Sequence, residues 1–198
     1  MKNIQIFSKY LIYFTLIWIP LVWASSLYFE FFYSFIPLID ISFISLMFYI
    51  SWISLLFVMV IRPISELFPK YSILKQLIFL RKAFGILSAT IIVLNLSGTA
   101  LIQDGFWSNY FSLPKWSLWY PLIARIAELS AIILLATSNM WSMKKLKKNW
   151  KKVQRLSYPY FISGWIVAAQ FEPKFYYISM WVVAFIYIIN IIKKYLIK

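Results

Sequence analysis

The chain contains no cysteine and no histidine. Without cysteine there are no disulfides, thiolate metal sites or cysteine nucleophiles, and without histidine there are none of the imidazole ligands used by most zinc, copper and haem sites. Only six residues are acidic and only four are glycine, and we find neither a carboxylate dyad nor a glycine-rich phosphate loop. Conventional hydrolytic or phosphoryl-transfer chemistry is therefore not expected.

The 198 residues are instead 63% hydrophobic and 21% aromatic, far above the apolar share of an ordinary soluble domain. A helix that crosses a bilayer needs about 20 mostly apolar residues. Six segments reach or approach that length: 8–29, 40–61, 83–103, 118–140, 156–171 and 175–192. The sequence thus predicts an all-α integral membrane protein, a six-helix transmembrane bundle that forms a single domain over residues 1–198.

The basic residues give this bundle a predicted orientation. Seventeen of the twenty lie at the termini or in alternate connections: Lys2, Lys9, Arg62, Lys70, Lys75, Arg81, Lys82, Lys144, Lys145, Lys147, Lys148, Lys151, Lys152, Arg155, Lys193, Lys194 and Lys198. The other connections carry only Lys115 and Lys174. The positive-inside rule then places both termini in the cytoplasm, in a multi-pass protein of the cytoplasmic (inner) membrane. "VWASS" at 22–26 has the small residues of a signal cleavage site, but the charge pattern favours a retained first span.

The same basic residues flank apolar runs, so the predicted partners are membrane lipids and not nucleic acid. In "MKKLKKNWKKVQR", 143–155, apolar side chains recur every three or four residues, which is typical of an amphipathic helix at the membrane surface. The lysines of that helix face lipid phosphates or an acidic cytoplasmic partner. The aromatic connection 104–120 is predicted to lie at the headgroup level or to cover a site on the outer side.

Two sets of polar residues fall within the predicted spans. Arg125 and Glu128 are neighbours on one face of the fourth span. They form either a pair that locks the helix against its neighbour or part of a proton or ion path in a small transporter. A second set is predicted to form an inner hydrogen-bonded network: Asn95, Ser97, Thr99, Thr137, Ser138, Asn139, Gln154, Ser157 and Gln170.

Several motifs resemble the ferric reductase-like transmembrane family, in the branch of the haem-binding membrane subunit of the periplasmic methionine sulfoxide reductase system. "RKAFGILSATIIVLNLSGTAL", 81–101, is similar to the family's third span, with Arg81, Lys82 and Gly85 at its Arg-Arg/Lys-x-x-Gly opening. "ATSNMWSMKKLKKNWKKVQRLSY", 136–158, is similar to the series that ends the fourth span and leads into the fifth. The matching residues there are Thr137, Ser138, Leu146, Trp150, Arg155, Leu156 and Tyr158, while Lys147 stands at the usual glycine.

The resemblance implies a six-helix bundle in which histidines bind haem b and electrons cross the membrane. The three ligand positions are occupied here by Asn95, Gln154 and Val167. Amides are poor iron ligands beside imidazole, so we predict no cofactor and a haem-free protein with a binding, interaction or assembly role. The alternative is a membrane oxidoreductase subunit that uses haem b with other ligands, a flavin or a quinone, together with a protein redox partner.

Overall fold

The computed structural model describes residues 2–32, 41–102, 119–169 and 173–196, and these ranges are helical with no β-strand. The helices are α1 (Lys2–Phe32), α2 (Ile41–Leu67), α3 (Ser72–Leu77), α4 (Arg81–Ile102), α5 (Trp119–Thr137), α6 (Met140–Leu146), α7 (Trp150–Gln154), α8 (Ser157–Ala168) and α9 (Pro173–Leu196). Turns of 3₁₀ helix, Ile78–Leu80 and Lys147–Asn149, lead into α4 and α7. The predicted all-α class is confirmed for these ranges, while Gln170 and nearly all of the aromatic connection 104–120 lie outside them.

Four helical stretches are long and apolar enough to cross a membrane: Asn3–Leu21, Leu46–Leu67, Ser72–Ser97 and Pro173–Leu196. There are five if Leu122–Thr137 and Trp141–Gln154, which meet at a bend of 93°, count as one span. The predicted fifth span corresponds to α8, whose 12 residues extend about 18 Å, less than the ~30 Å of a hydrocarbon core. The helical membrane architecture is confirmed in this coarser form, and the count of six spans stays a prediction.

The core joins α2, α8 and α9 through aromatic rings. Trp52 stacks on Phe161 with ring centroids 5.1 Å apart and meets Tyr176 edge-on at the same separation. The indole N–H of Trp52 also donates to Ser179 Oγ at 3.1 Å, so its polar atom is satisfied inside the bundle. By contrast, α9 turns large side chains outward, with Trp181 75% exposed. Such an apolar outer surface suits lipid contact.

A chain of buried hydroxyls joins α2, α4 and α8. Ser88 Oγ lies 3.0 Å from Ser51 Oγ and 2.9 Å from the Tyr160 hydroxyl, and all three residues are buried. The sequence predicted a different set of residues for such a network. The hydroxyls of Ser97, Thr137 and Ser138 instead donate to carbonyl groups of their own helices, as hydroxyls in apolar helices often do. For these three residues the structure shows hydrogen bonds to nearby carbonyl groups and not the predicted bonds between helices.

The first and last helices, α1 and α9, both contact one end of the bundle. We call it the basic end, because Arg62, Arg81, Lys193 and Lys194 lie there. Ser8 in α1 donates to the carbonyl of Phe79, next to the start of α4. Lys193 in α9 donates to the carbonyl of Leu67, where α2 ends, at 2.6 Å. Glu66 strengthens that second contact, because it accepts from Asn190 and forms ion pairs with Arg62 and Lys194. The contacts therefore bring the first and last helices to one end of the bundle.

Candidate functional site

A cavity of about 830 Å³ opens at the basic end, between α2, α4, α5, α7 and α8. Its deeper wall is apolar or aromatic and includes Leu55, Val58, Gly85, Leu134 and Tyr160. Its outer wall carries five cationic side chains: Arg62, Arg81, Lys82, Lys151 and Arg155. No acidic side chain lines the cavity within the described ranges. The site therefore combines an apolar interior with a strongly electropositive mouth.

The cavity owes its shape to the corner between α5 and α6. Asn139 has an extended backbone, and its side-chain carbonyl accepts from the amide of Ser142 at 2.7 Å, which caps the N-terminus of α6. The amide group of Asn139 also donates to the carbonyl of Ala136, which satisfies an otherwise unpaired carbonyl at the end of α5. The chain turns sharply there, and residues 141–154 run across the end of the bundle. The sequence predicted a surface helix over this segment.

The surface segment contains one residue, Lys147, in a backbone conformation that is strained for any residue with a side chain. Lys147 has φ 46° and ψ −118°, the one positive φ at a non-glycine position in the described part of the chain. A side chain there costs about 1–3 kcal/mol, because glycine alone reaches this region freely. The turn then allows α7 to fold back over the cavity.

Trp150 fixes α7 against the rest of the bundle. Its indole N–H donates to the carbonyl of Thr137 at 3.1 Å, so the surface segment is attached to the end of α5. Gln154 and Ser157 follow on the same wall of the cavity. Gln154 Nε2 and Ser157 Oγ are buried and find no hydrogen-bond partner among the described residues. An unpaired buried donor costs about 1–3 kcal/mol, which a ligand oxygen would offset after a small side-chain rotation.

The three positions that the resemblance predicts for haem ligands do not meet in this cavity. Gln154 lines it, whereas Asn95 and Val167 do not. Asn95 lies ten residues after Gly85, about 15 Å further along α4, and Val167 lies ten residues after Ser157 on α8. Both side chains are half-buried within the bundle and engage neighbouring groups.

The residues present do not fit a haem iron. No methionine lines the cavity, and within the described ranges no three residues of the His, Cys, Asp and Glu types cluster as metal ligands do. The hydroxyl groups of the two lining tyrosines are already hydrogen-bonded, that of Tyr160 to Ser88 and that of Tyr158 to Tyr187. The amide of Gln154 is a weak donor to iron compared with imidazole. Haem chemistry therefore finds no suitable axial ligand at this site.

Arg125 and Glu128 lie apart from the cavity. Both are half-buried in α5, neither lines the cavity wall, and each interacts with other groups of the protein. The structure thus separates this pair from the five cations at the basic end. Its assignment to helix locking or to an ion path stays a prediction.

Sequence reasoning missed the cavity because it interpreted the five cations as topology signals, motif matches or lipid contacts and never as one group. They come from three separate stretches of the chain and gather only when α2, α4 and α7 meet. One signal was available: Arg81, Lys82 and Gly85 open α4 at a spacing that puts the glycine one turn above the charges. Because Gly85 has no side chain, it leaves room for the cavity on the inner side of Arg81 and Lys82.

Comparison with protein-family models, with curated proteins and with solved structures returns no match.

Proposed function

We propose that this chain is a haem-free membrane protein of the ferric reductase-like type that binds a small anionic amphiphile in the cavity at its basic end. One observation carries the proposal. Most residues that match the family's motifs, although distant in sequence, line this single cavity: Arg81, Lys82, Gly85, Ser138, Trp150, Arg155 and Tyr158. Residues kept around one cavity, while the iron ligands are replaced, point to a binding role that does not use iron.

The chemistry of the walls defines the ligand class. The outer wall offers only donors and positive charge, which an anion with several acceptor oxygens would neutralise. The deeper wall, which includes Leu55, Val58 and Leu134, would accept an apolar body. On this proposal the basic end faces the cytoplasm, and the protein works as a binding, interaction or assembly component of the cytoplasmic membrane.

One observation favours a second function, that of a membrane oxidoreductase subunit. Trp150, Tyr158 and Tyr160 line the same cavity, so a planar flavin or quinone would find aromatic side chains beside cations. Such a group, when bound, would supply the electron-transfer chemistry. The protein residues would contribute binding and orientation only.

An absorption spectrum, together with mass spectrometry of co-purifying small molecules to detect a quinone, distinguishes the two functions. The protein is produced with haem precursor supplied, purified in detergent and measured oxidised and after dithionite reduction. The proposed function predicts no stoichiometric absorbance in the visible range from a folded, monodisperse sample. A Soret band with reduced α-bands, or a flavin spectrum at one equivalent per chain, would contradict it and favour the oxidoreductase.

A further inference from the structure

The five cations that surround the cavity contain three guanidinium groups. Arg62, Arg81 and Arg155 reach the mouth from three different helical segments. A guanidinium group presents a planar fork of donors that matches two oxygens of one oxyanion. Arg62 already donates from Nε to Glu66, so two full forks and the remaining N–H groups of Arg62 are available. Together with the unpaired donors of Gln154 and Ser157, they still outnumber the two oxygens of a carboxylate. A ligand with a larger set of acceptor oxygens fits this wall better.

The position of the cavity identifies the source of such a ligand. The surface segment 141–154 leaves α5 at 93°, and its lysines at 144, 145, 147, 148, 151 and 152 are all exposed. A helix that runs across the end of a membrane bundle with exposed lysines lies at the level of lipid phosphates. The cavity opens beside this segment. Lipid headgroups are therefore its most abundant neighbours.

We propose that the cavity binds the headgroup of an anionic glycerophospholipid, with the phosphate between Arg62, Arg81 and Arg155 and the first carbons of the lipid against Leu55, Val58 and Leu134. Such a headgroup supplies phosphate, glycerol and ester oxygens together, and its chains continue into apolar surroundings. Basic cavities between membrane helices are suited to this class of lipid. The inference rests on the proposed function and specifies its ligand.

Native mass spectrometry of the delipidated full-length protein in detergent tests the inference. The probes are dioleoylphosphatidylglycerol, dioleoylphosphatidylcholine, oleate and inorganic phosphate. We expect one phosphatidylglycerol per chain, held about tenfold or more tightly than the zwitterionic phosphatidylcholine, whose choline the cations repel. The variant Arg62→Gln/Arg81→Gln/Arg155→Gln should lose this preference, because each Arg near a lipid phosphate contributes about fivefold to binding.

The matched control is Lys144→Gln/Lys147→Gln/Lys148→Gln, which removes the same charge from the same end without touching the cavity wall. It should keep the preference to within about threefold. Equal losses in both triple variants would overturn the inference, because they would assign binding to general surface charge. If the arginine variant does not fold, the single change Arg155→Gln serves instead. That side chain is exposed, and the expected loss is about fivefold.

The other probes separate this inference from the proposed function. If oleate binds as tightly as phosphatidylglycerol and with the same dependence on the arginines, the phosphate assignment fails while the anionic amphiphile remains. If millimolar inorganic phosphate displaces the lipid fully, the apolar wall contributes nothing and a soluble phosphate compound replaces the lipid. If no anionic amphiphile binds the wild-type protein, both proposals fail.

Discussion

Removing two hydroxyls of the buried chain, singly and together, tests how the bundle is held around the cavity. Tyr160→Phe deletes a hydroxyl group that hydrogen-bonds to Ser88 at 2.9 Å, while Ser88 keeps its contact with Ser51 at 3.0 Å. A loss of about 0.5–1.5 kcal/mol of unfolding free energy is expected. Ser88→Ala is predicted to cost more, about 1–3 kcal/mol, because it removes the hydroxyl that bridges the buried hydroxyls of Tyr160 and Ser51.

The double variant gives the sharper result. Once Ser88 is alanine, Tyr160→Phe removes a buried hydroxyl that has lost its Ser88 partner, so the second change should cost less than it does alone. The double variant is therefore expected to be more stable than the sum of the single losses predicts, by the ~0.6 to 1.7 kcal/mol that hydrogen bonds between membrane helices contribute. Equilibrium unfolding in mixed micelles, followed by circular dichroism, measures all four proteins. Additive losses would show that these two hydroxyls do not form a pair and would refute the hydrogen bond between α4 and α8 described here.

Two further predictions concern the surface segment and the orientation. Lys147→Gly should stabilise the protein by about 1 kcal/mol, since glycine adopts the positive φ without strain, whereas Lys148→Gly next to it should destabilise by a similar amount; thermal unfolding in detergent compares them. A single cysteine at position 148 should react with an impermeant maleimide only in inside-out vesicles, and one at position 174 only in right-side-out vesicles. The opposite labelling would invert the predicted topology.

Much of the fold could be predicted because hydrophobic length is a local property. The long apolar helices, and the change to a surface helix after α5, follow from residues close together in the sequence. The helix limits were less accurate. The second span was predicted to end at 61, but α2 continues to Leu67, because Glu66 pairs with residues of α9 and so lies at the end of the bundle without an isolated charge.

The site was predicted less well because it depends on contacts between distant segments. Gln154, Asn95 and Val167 were grouped by resemblance alone; Gln154 lines the cavity, whereas the other two lie elsewhere along α4 and α8. The hydroxyl chain was missed for the same reason. A serine in an apolar run gives no indication of whether it donates to its own helix, as Ser97 does, or joins two helices, as Ser88 does.

The electropositive cavity is the central claim, and charge-selective labelling tests it most directly. Because the chain has no cysteine, Ser138→Cys places a single thiol on the cavity wall. Its rates with sulfonatoethyl and trimethylammonioethyl methanethiosulfonate, divided by those of 2-mercaptoethanol, give a ratio that cancels the reactivity of the thiol itself. If each of the five cations is taken to lie about one Debye length, roughly 8 Å, from the thiol, the screened charges attract an anion by about 1 kcal/mol and repel a cation equally.

In inside-out vesicles we therefore predict that the normalised rate of the anionic reagent exceeds that of the cationic reagent by more than about tenfold. Adding Arg62→Gln and Arg155→Gln should bring this preference down several-fold. A cysteine at position 174, at the opposite end of α9, should show no such preference when it is labelled in right-side-out vesicles. A ratio for position 138 equal to that of the free thiol would contradict the account, since no electropositive cavity would then surround that residue.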